Sequence, residues 1–168
     1  MPIPIIDLFA GPGGLGEGFS SLHDSGRRIY QIGLSIEKDP VARQTLLLRS
    51  FFRQFNVGKV PEDYYRYLRS DIGRDALFAA HEDQAQKARD EAWNCELGSE
   101  NNARVDKRIR TALGRQKRNW VLIGGPPCQA YSVAGRVKMQ NSEGFKHDDR
   151  HFLYREYLRI VARHQPAV

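Results

Sequence analysis

The chain has 168 residues, of which 40% are hydrophobic, 27% charged and 10% aromatic; this length suits a single hydrophobic core, and the composition excludes a disordered or fibrous chain. No run approaches the roughly 18 apolar residues of a membrane span, and Met1-Pro2-Ile3-Pro4 leads straight into a strand-like segment rather than a charged signal-peptide start, so the expected location is cytoplasmic. Lys plus Arg outnumber Asp plus Glu by 26 to 20, which permits a polyanionic partner, while two cysteines, Cys95 and Cys128, are too few for a disulfide framework or a structural zinc site, and no metal is expected.

In chain order, Ile3 to Phe9 reads as a buried parallel strand carrying only Asp7 as a charge, and Leu15 to Leu22 has a helical pattern. Tyr30 to Ile36 is a second strand. It ends in Glu37-Lys38-Asp39-Pro40, with Pro40 placed as the first residue of a helix through Leu46, Leu47 and Phe51. Strand, helix, strand, helix implies a parallel sheet with crossover helices, the α/β class. The middle is less legible: Pro61 and the group Tyr64, Tyr65 and Tyr67 precede a polar helical stretch from Asp75 to about Trp93. Ala103 to Leu113 predicts another helix, with Val105, Ile109 and Leu113 on one face. From Arg104 to Arg118 there are seven Lys/Arg and one acid, which reads either as a DNA-facing patch or as the solvated face of a helix. Trp120 to Ile123 is a third strand, broken by Gly124-Gly125-Pro126-Pro127, and a polar loop follows to about Asp149. His151 to His164 predicts a final helix with Leu153, Tyr157, Ile160 and Val161 on its apolar side, and Pro166-Ala167-Val168 looks like the entry to another strand.

Two segments can carry chemistry. Gly11-Pro12-Gly13-Gly14-Leu15-Gly16 matches G-x-G-x-x-G between a predicted strand and helix, with Glu37 about twenty residues on at the tip of the next strand. Missing side chains let a ligand approach the backbone, the helix start offers unpaired N–H groups, and the carboxylate can accept from both ribose hydroxyls. That logic fits any adenosine-containing cofactor, NAD or S-adenosylmethionine; the plainer reading is a tight turn with Glu37 as a solvated strand-end acid. Cys128 follows the third strand and two prolines, so a stiff backbone presents its thiol at the carboxyl edge of the sheet. Taken without those neighbours it would read as an inert buried cysteine.

Asp7-Leu8-Phe9-Ala10-Gly11-Pro12-Gly13-Gly14 and Gly125-Pro126-Pro127-Cys128-Gln129 resemble the cofactor and nucleophile motifs of the C5-cytosine DNA methyltransferases. The resemblance covers residues 3–40 and 120–168 and implies a Rossmann-like, S-adenosylmethionine-dependent methyltransferase fold with an incomplete parallel sheet and flanking helices. By that resemblance Phe9, Ala10, Gly11, Gly13, Gly14 and Leu15 line the S-adenosylmethionine site, and Glu37 holds its ribose. Asp71, in Ser70-Asp71-Ile72, stands for the element that reads the adenine amino group, and Leu153 packs near the cofactor. Cys128 is the nucleophile that adds to C6 of a cytosine flipped out of double-stranded DNA, so that C5 can take the methyl group. Pro126, Pro127, Gln129, Ser132 and Arg136 lie on the substrate side, and the loop from Ala130 to Lys146 is the closing element.

The family's later elements are a Glu-Asn-Val strand end, an arginine motif, a target-recognition region and a final helix, and none appears in this sequence. Residues 1–168 therefore read as the N-terminal part of a single catalytic domain, with about 56–119 a largely helical insertion. The expectation is a longer enzyme, a truncated product or one subunit of a split enzyme, with a missing C-terminal half or second subunit as partner. A sheet cut there exposes an edge, which predicts self-association through that side. Three alternatives remain at this stage: a tRNA cytosine-5 methyltransferase, an NAD-dependent oxidoreductase that leaves Pro126-Pro127-Cys128-Gln129 idle, and a non-catalytic binding or assembly module.

Overall fold

The computed structural model describes residues 1–116, 118–126 and 153–168. Its elements are β1 (Ile3–Leu8), α1 (Gly14–Ser20), a hairpin of β2 (His23–Asp24) and β3 (Arg27–Arg28), β4 (Tyr30–Glu37), α2 (Pro40–Arg53), α3 (Glu62–Leu68), α4 (Arg74–Ala80), α5 (Glu82–Glu91), β5 (Ala92–Asn94), α6 (Asn102–Leu113), β6 (Val121–Gly124) and α7 (Leu153–His164). The main sheet has the order β5-β4-β1-β6, and every pairing in it is parallel. The chain thus moves outward from β1 to β4 and β5, then crosses back to lay β6 on the other side of β1. That reversal opens a crevice at the carboxyl ends of β1 and β6, where ligands bind in open α/β sheets. The α/β expectation is borne out.

Helices cover both faces, so the strands carry apolar residues on both. Ile6, Leu8, Leu34 and Ile36 join Val105, Ile109 and Leu113 of α6 and Ile160 of α7 in one core. Ile5, Ile32 and Ile123 face the other way against Phe19 of α1, and beside them Leu46, Leu47 and Phe51 of α2 pack with Leu77 and Phe78 of α4 and Ala85 and Ala88 of α5. A register shift between Ile5 and Ile6 leaves Gly33 as an extra residue on β4. This bulge is why Ile32 and Leu34, two apart, serve opposite layers.

Several expected boundaries move. The first strand stops at Leu8, because Phe9 turns into the left-handed region with φ 56°. α1 ends at Ser20, and Leu22 instead accepts a main-chain bond from Ile29 that closes the small hairpin. The helix expected from Asp75 to Trp93 breaks at His81, whose φ of −136° is non-helical, into α4 and α5. Its last residues become β5, since Ala92, Trp93 and Asn94 pair with Ser35, Ile36 and Glu37. Polar composition hid a three-residue strand that the neighbouring edge of β4 dictates. At the C-terminus the expected strand entry takes the form of two main-chain bonds to the outer edge of β6, Ala167 N–H to Trp120 O at 3.0 Å and Leu122 N–H to Val168 O at 2.8 Å.

Phe51 is fully buried, with ring centroids 5.2 Å from Phe55 and 5.0 Å from Phe78. Phe51→Ala is expected to lower unfolding stability by about 3–5 kcal/mol, whereas Val41→Ala, at a side chain 72% exposed, changes it by less than about 0.5 kcal/mol; urea unfolding of both variants checks this.

Candidate functional site

The glycine loop forms because β1 ends beneath α2. Ala10 N–H still bonds Ile36 O at 3.0 Å, and Gly13 N–H then closes a turn onto Ala10 O at 2.9 Å. Gly13 caps α1 with φ 87°, a left-handed conformation that favours glycine, and a Cβ there would lie 2.8 Å from Leu46 Cδ1 and push that side chain aside. Arg49 of α2 donates to Pro12 O at 3.1 Å and ties the loop down from above.

Glu37 stands at the tip of β4 facing this loop. Its Oε2 accepts from Gly11 N–H at 2.7 Å, and its Oε1 accepts from Asp39 N–H at 2.7 Å. Asp39 in turn caps α2: its Oδ1 accepts from Val41 and Ala42 N–H at 2.7 and 2.8 Å, with Pro40 at the first helical position. The backbone behind Glu37 is held by Asn94 at the end of β5, whose Nδ2 donates to the carbonyls of Glu37 and Lys38, both at 2.9 Å, and by Cys95 N–H to Glu37 O at 3.1 Å. Lys38 pairs with Glu96 at 2.8 Å across the same edge. Sequence reasoning missed Asn94, Cys95 and Glu96 as members of this edge. The trace they leave is the short apolar step Ala92-Trp93 before Asn94 within a polar stretch.

On the far side of β1, Gly124 ends β6 so close to Leu8 that a Cβ on it would lie 2.3 Å from Leu8 O. Glycine there lets the start of Gly125-Pro126 run beside the glycine loop. The structure therefore brings Phe9, Ala10, Gly11, Gly13, Gly14 and Glu37 to one edge with Pro126 nearby, and Leu15, 52% exposed, projects from the first turn of α1. Leu153 is buried at the start of α7, where its Cδ2 would lie 3.8 Å from a Cβ on Gly98, in the segment that leaves β5. Pro127, Cys128, Gln129, Ser132 and Arg136 lie outside the described residues. Asp71 is placed elsewhere: it sits in the turn between α3 and α4, paired with Arg69 at 3.2 Å, and the strand beside Glu37 is β5.

Beneath the loop, Asp7 is 1% exposed, and its Oδ2 has no hydrogen-bond partner among the described residues. Burial pushes its carboxyl up to about 7, with Arg53 opposing and Glu37 and Glu91 adding to the rise. Burial likewise pushes the Cys95 thiol up to about 11, so at neutral pH it stays a thiol and is unsuited to nucleophilic attack. Among the described residues no group of His, Cys, Asp and Glu could hold a metal ion.

A family model for C-5 cytosine-specific DNA methylase matches residues 82–168, more than half of the chain. The chain belongs to that family. It is 34% identical over 178 aligned positions to Type II methyltransferase M.Bpa9945I of Bacillus paralicheniformis, covering 96% of this chain and 38% of that methylase. It is 44% identical over 46 residues to Type II methyltransferase M1.HphI of Haemophilus parahaemolyticus, covering 27% of this chain and 11% of that protein. The chain thus spans well under half the length of these methylases. No solved structure matches it.

The buried Asp7 carboxyl makes the stability of this chain depend on pH. Its folded value of about 7 lies above the ordinary 3.8, so the folded state holds an extra proton between those values. Its contribution to stability is complete below pH 3.8 and is lost as pH rises through 7. From pH 5 to pH 8 the native chain is expected to lose on the order of 2–3 kcal/mol relative to Asp7→Asn, read from urea unfolding of both proteins at the two pH values.

Proposed function

We propose that this chain is the cofactor-binding and nucleophile-bearing part of a DNA (cytosine-5)-methyltransferase that uses S-adenosylmethionine. The observation that carries the reading is the meeting of Glu37 and the Gly11–Gly14 turn at the edge where β6 delivers Gly125-Pro126. The donor set suits the cofactor. A carboxylate already accepting one bond on each oxygen keeps lone pairs for a ribose diol, and at Gly11, with φ 57°, nothing lies within 4 Å of where a Cβ would sit, which leaves the backbone open to a ligand. In this reading Phe9, Ala10, Gly11, Gly13, Gly14, Leu15 and Leu153 line the site and Glu37 holds the ribose. Asn94 and Glu96 take the adenine side in place of Asp71, because β5 carries them to the edge beside Glu37.

When bound, S-adenosylmethionine supplies an electrophilic methyl group. The chain's own contribution is the Cys128 thiolate, which forms a bond to C6 of an extruded cytosine and makes C5 enamine-like. Once C5 carries the methyl group, water takes up the C5 proton, its electron pair re-forms the C5=C6 bond, and the C6–S bond breaks to return the Cys128 thiolate. Pro126, Pro127, Gln129, Ser132 and Arg136 would hold the base and its backbone. Residues 1–168 are then part of one catalytic domain, and the remaining length seen in the relatives would supply the rest of the enzyme. No helix among the described residues is long and apolar enough to cross a membrane, in keeping with work on DNA in the cytoplasm.

The NAD reading uses only the glycine loop and Glu37 and gives the Gly-Pro-Pro-Cys-Gln segment no task. Calorimetric titration separates the two. S-adenosylmethionine is expected to bind and NAD not, with Glu37→Ala weakening binding about 10- to 100-fold through loss of charge-assisted hydrogen bonds. Binding of NAD alone, or S-adenosylmethionine affinity untouched by Glu37→Ala, would contradict the proposal.

A further inference from the structure

We propose that the outer face of α6, with the turn that follows it, docks the phosphate backbone of duplex DNA away from the cofactor edge. The segment from Arg104 to Arg118 has seven Lys/Arg against one acid, an excess equal to the net charge of the whole chain. The fold decides how that charge is displayed. Val105, Ile109 and Leu113 point into the core. The one acid, Asp106, is turned toward α7 with its side chain 13% exposed, and its Oδ1 lies 2.9 Å from both Arg159 Nη1 and His164 Nε2. Its charge is spent on α7 and does not offset the cations outside.

Of the outward cations Arg104 pairs with Glu100 at 2.8 Å, while four others keep their charge without an acid beside them. Lys107, Arg110, Arg115 and Arg118 are exposed and have no acid partner among the described residues. Arg104 and Arg108 flank them, each with its guanidinium carbon 5.4 Å from the centroid of the buried Trp93 ring, and Arg108 also donates to Asp90 O at 2.8 Å. These two cations are therefore held in place rather than free to wander. Twelve helical residues span about 18 Å, over which a duplex carries on the order of ten phosphate charges.

The choice of partner follows from what the face lacks. A membrane-surface helix needs apolar residues beside its cations, yet Val105, Ile109 and Leu113 are all buried. A single-strand site needs exposed aromatic rings for bases to stack on, yet Trp93 is 8% exposed and Trp120 fully buried. What remains is a rigid, Arg-rich row suited to phosphates and blind to base sequence. As the crossover between two parallel strands, α6 runs from the carboxyl edge of β5 to the amino edge of β6. The row therefore leads away from the glycine loop, and the DNA on it would be an outlying stretch of the substrate. The inference rests on the proposed function only for the choice of DNA as the polyanion.

The test is fluorescence anisotropy of two unrelated labelled 30-base-pair duplexes across a salt series, with the full chain and with Lys107→Ala, Arg110→Ala and Arg115→Ala combined. Thermal melting monitors folding, which alanine at the exposed helical positions 107 and 110 and at Arg115 in the exposed turn preserves. The combined variant is expected to weaken binding equally on both duplexes, and the slope of log affinity against log salt is expected to fall by about two to three. S-adenosylmethionine titration of the same variant should be unchanged, whereas Glu37→Ala should leave the duplex affinity intact, so failure at the cofactor site and failure at α6 give different patterns. Absence of duplex binding by the native chain, a slope unchanged in the variant, or equally tight binding to phosphatidylserine vesicles or single strands would overturn the proposal.

Discussion

One carboxylate organises the carboxyl edge of this sheet. By accepting Gly11 N–H on one oxygen and Asp39 N–H on the other, Glu37 joins the turn after β1 to the turn after β4. Each of those turns starts a helix, α1 after Gly13 and α2 after Asp39, so a single side chain fixes the relative placement of two helix starts. The second carboxylate, Asp39, continues the pattern by capping α2, and Asn94 holds the main chain behind both. Backbone N–H groups that would otherwise face solvent unpaired at a loop and a helix start are thereby satisfied before any ligand arrives.

Below that edge the layer between the sheet and α1, α2 and α5 is unusually polar. Arg53 of α2 is 6% exposed and pairs with Glu17 of α1 at 2.9 Å and with Glu91 of α5, while Gln54 also reaches Glu91 at 3.2 Å. A buried set of this kind adds little net stability over an apolar one, but loss of either partner strands a charge, so it specifies how three helices meet. Asp7, under the same layer, is kept largely protonated by burial below pH 7. The polar layer and the Glu37 bridge thus hold the same helices from two sides, and the loop between them inherits that rigidity.

The legible parts of the sequence were those where local pattern and tertiary demand agree. Apolar runs that stop at glycine marked β1 and β6, the run from Tyr30 to Ile36 marked β4, and the Glu37-to-Pro40 tetrapeptide announced both a strand tip and a helix start. Position of Glu37 opposite the glycine loop was readable because parallel strand, turn, helix, strand spacing leaves it little freedom. The middle failed for physical reasons. Residues 92–94 are strand only because the edge of β4 beside Ser35 to Glu37 pairs with them, a demand absent from their own composition. Ser70-Asp71-Ile72 has the look of a ligand element, yet its neighbours form helices that pack on α2 and carry it into a surface turn. The basic run from Arg104 to Arg118 was visible as charge, but only the fold shows that its one acid is turned inward.

The bridge at Glu37 is also what most directly ties fold to function, since the same carboxylate that closes the loop is the group assigned to the ribose. The decisive measurement is the amide proton–nitrogen NMR spectrum of the uniformly labelled chain as S-adenosylmethionine is added. The Gly11 and Asp39 amides, the two that donate to Glu37, are expected to shift most and saturate together, while the amides of α6 stay where they are. Saturable shifts confined to other residues, with Gly11 and Asp39 unmoved, would contradict the assignment of Glu37 to the ribose.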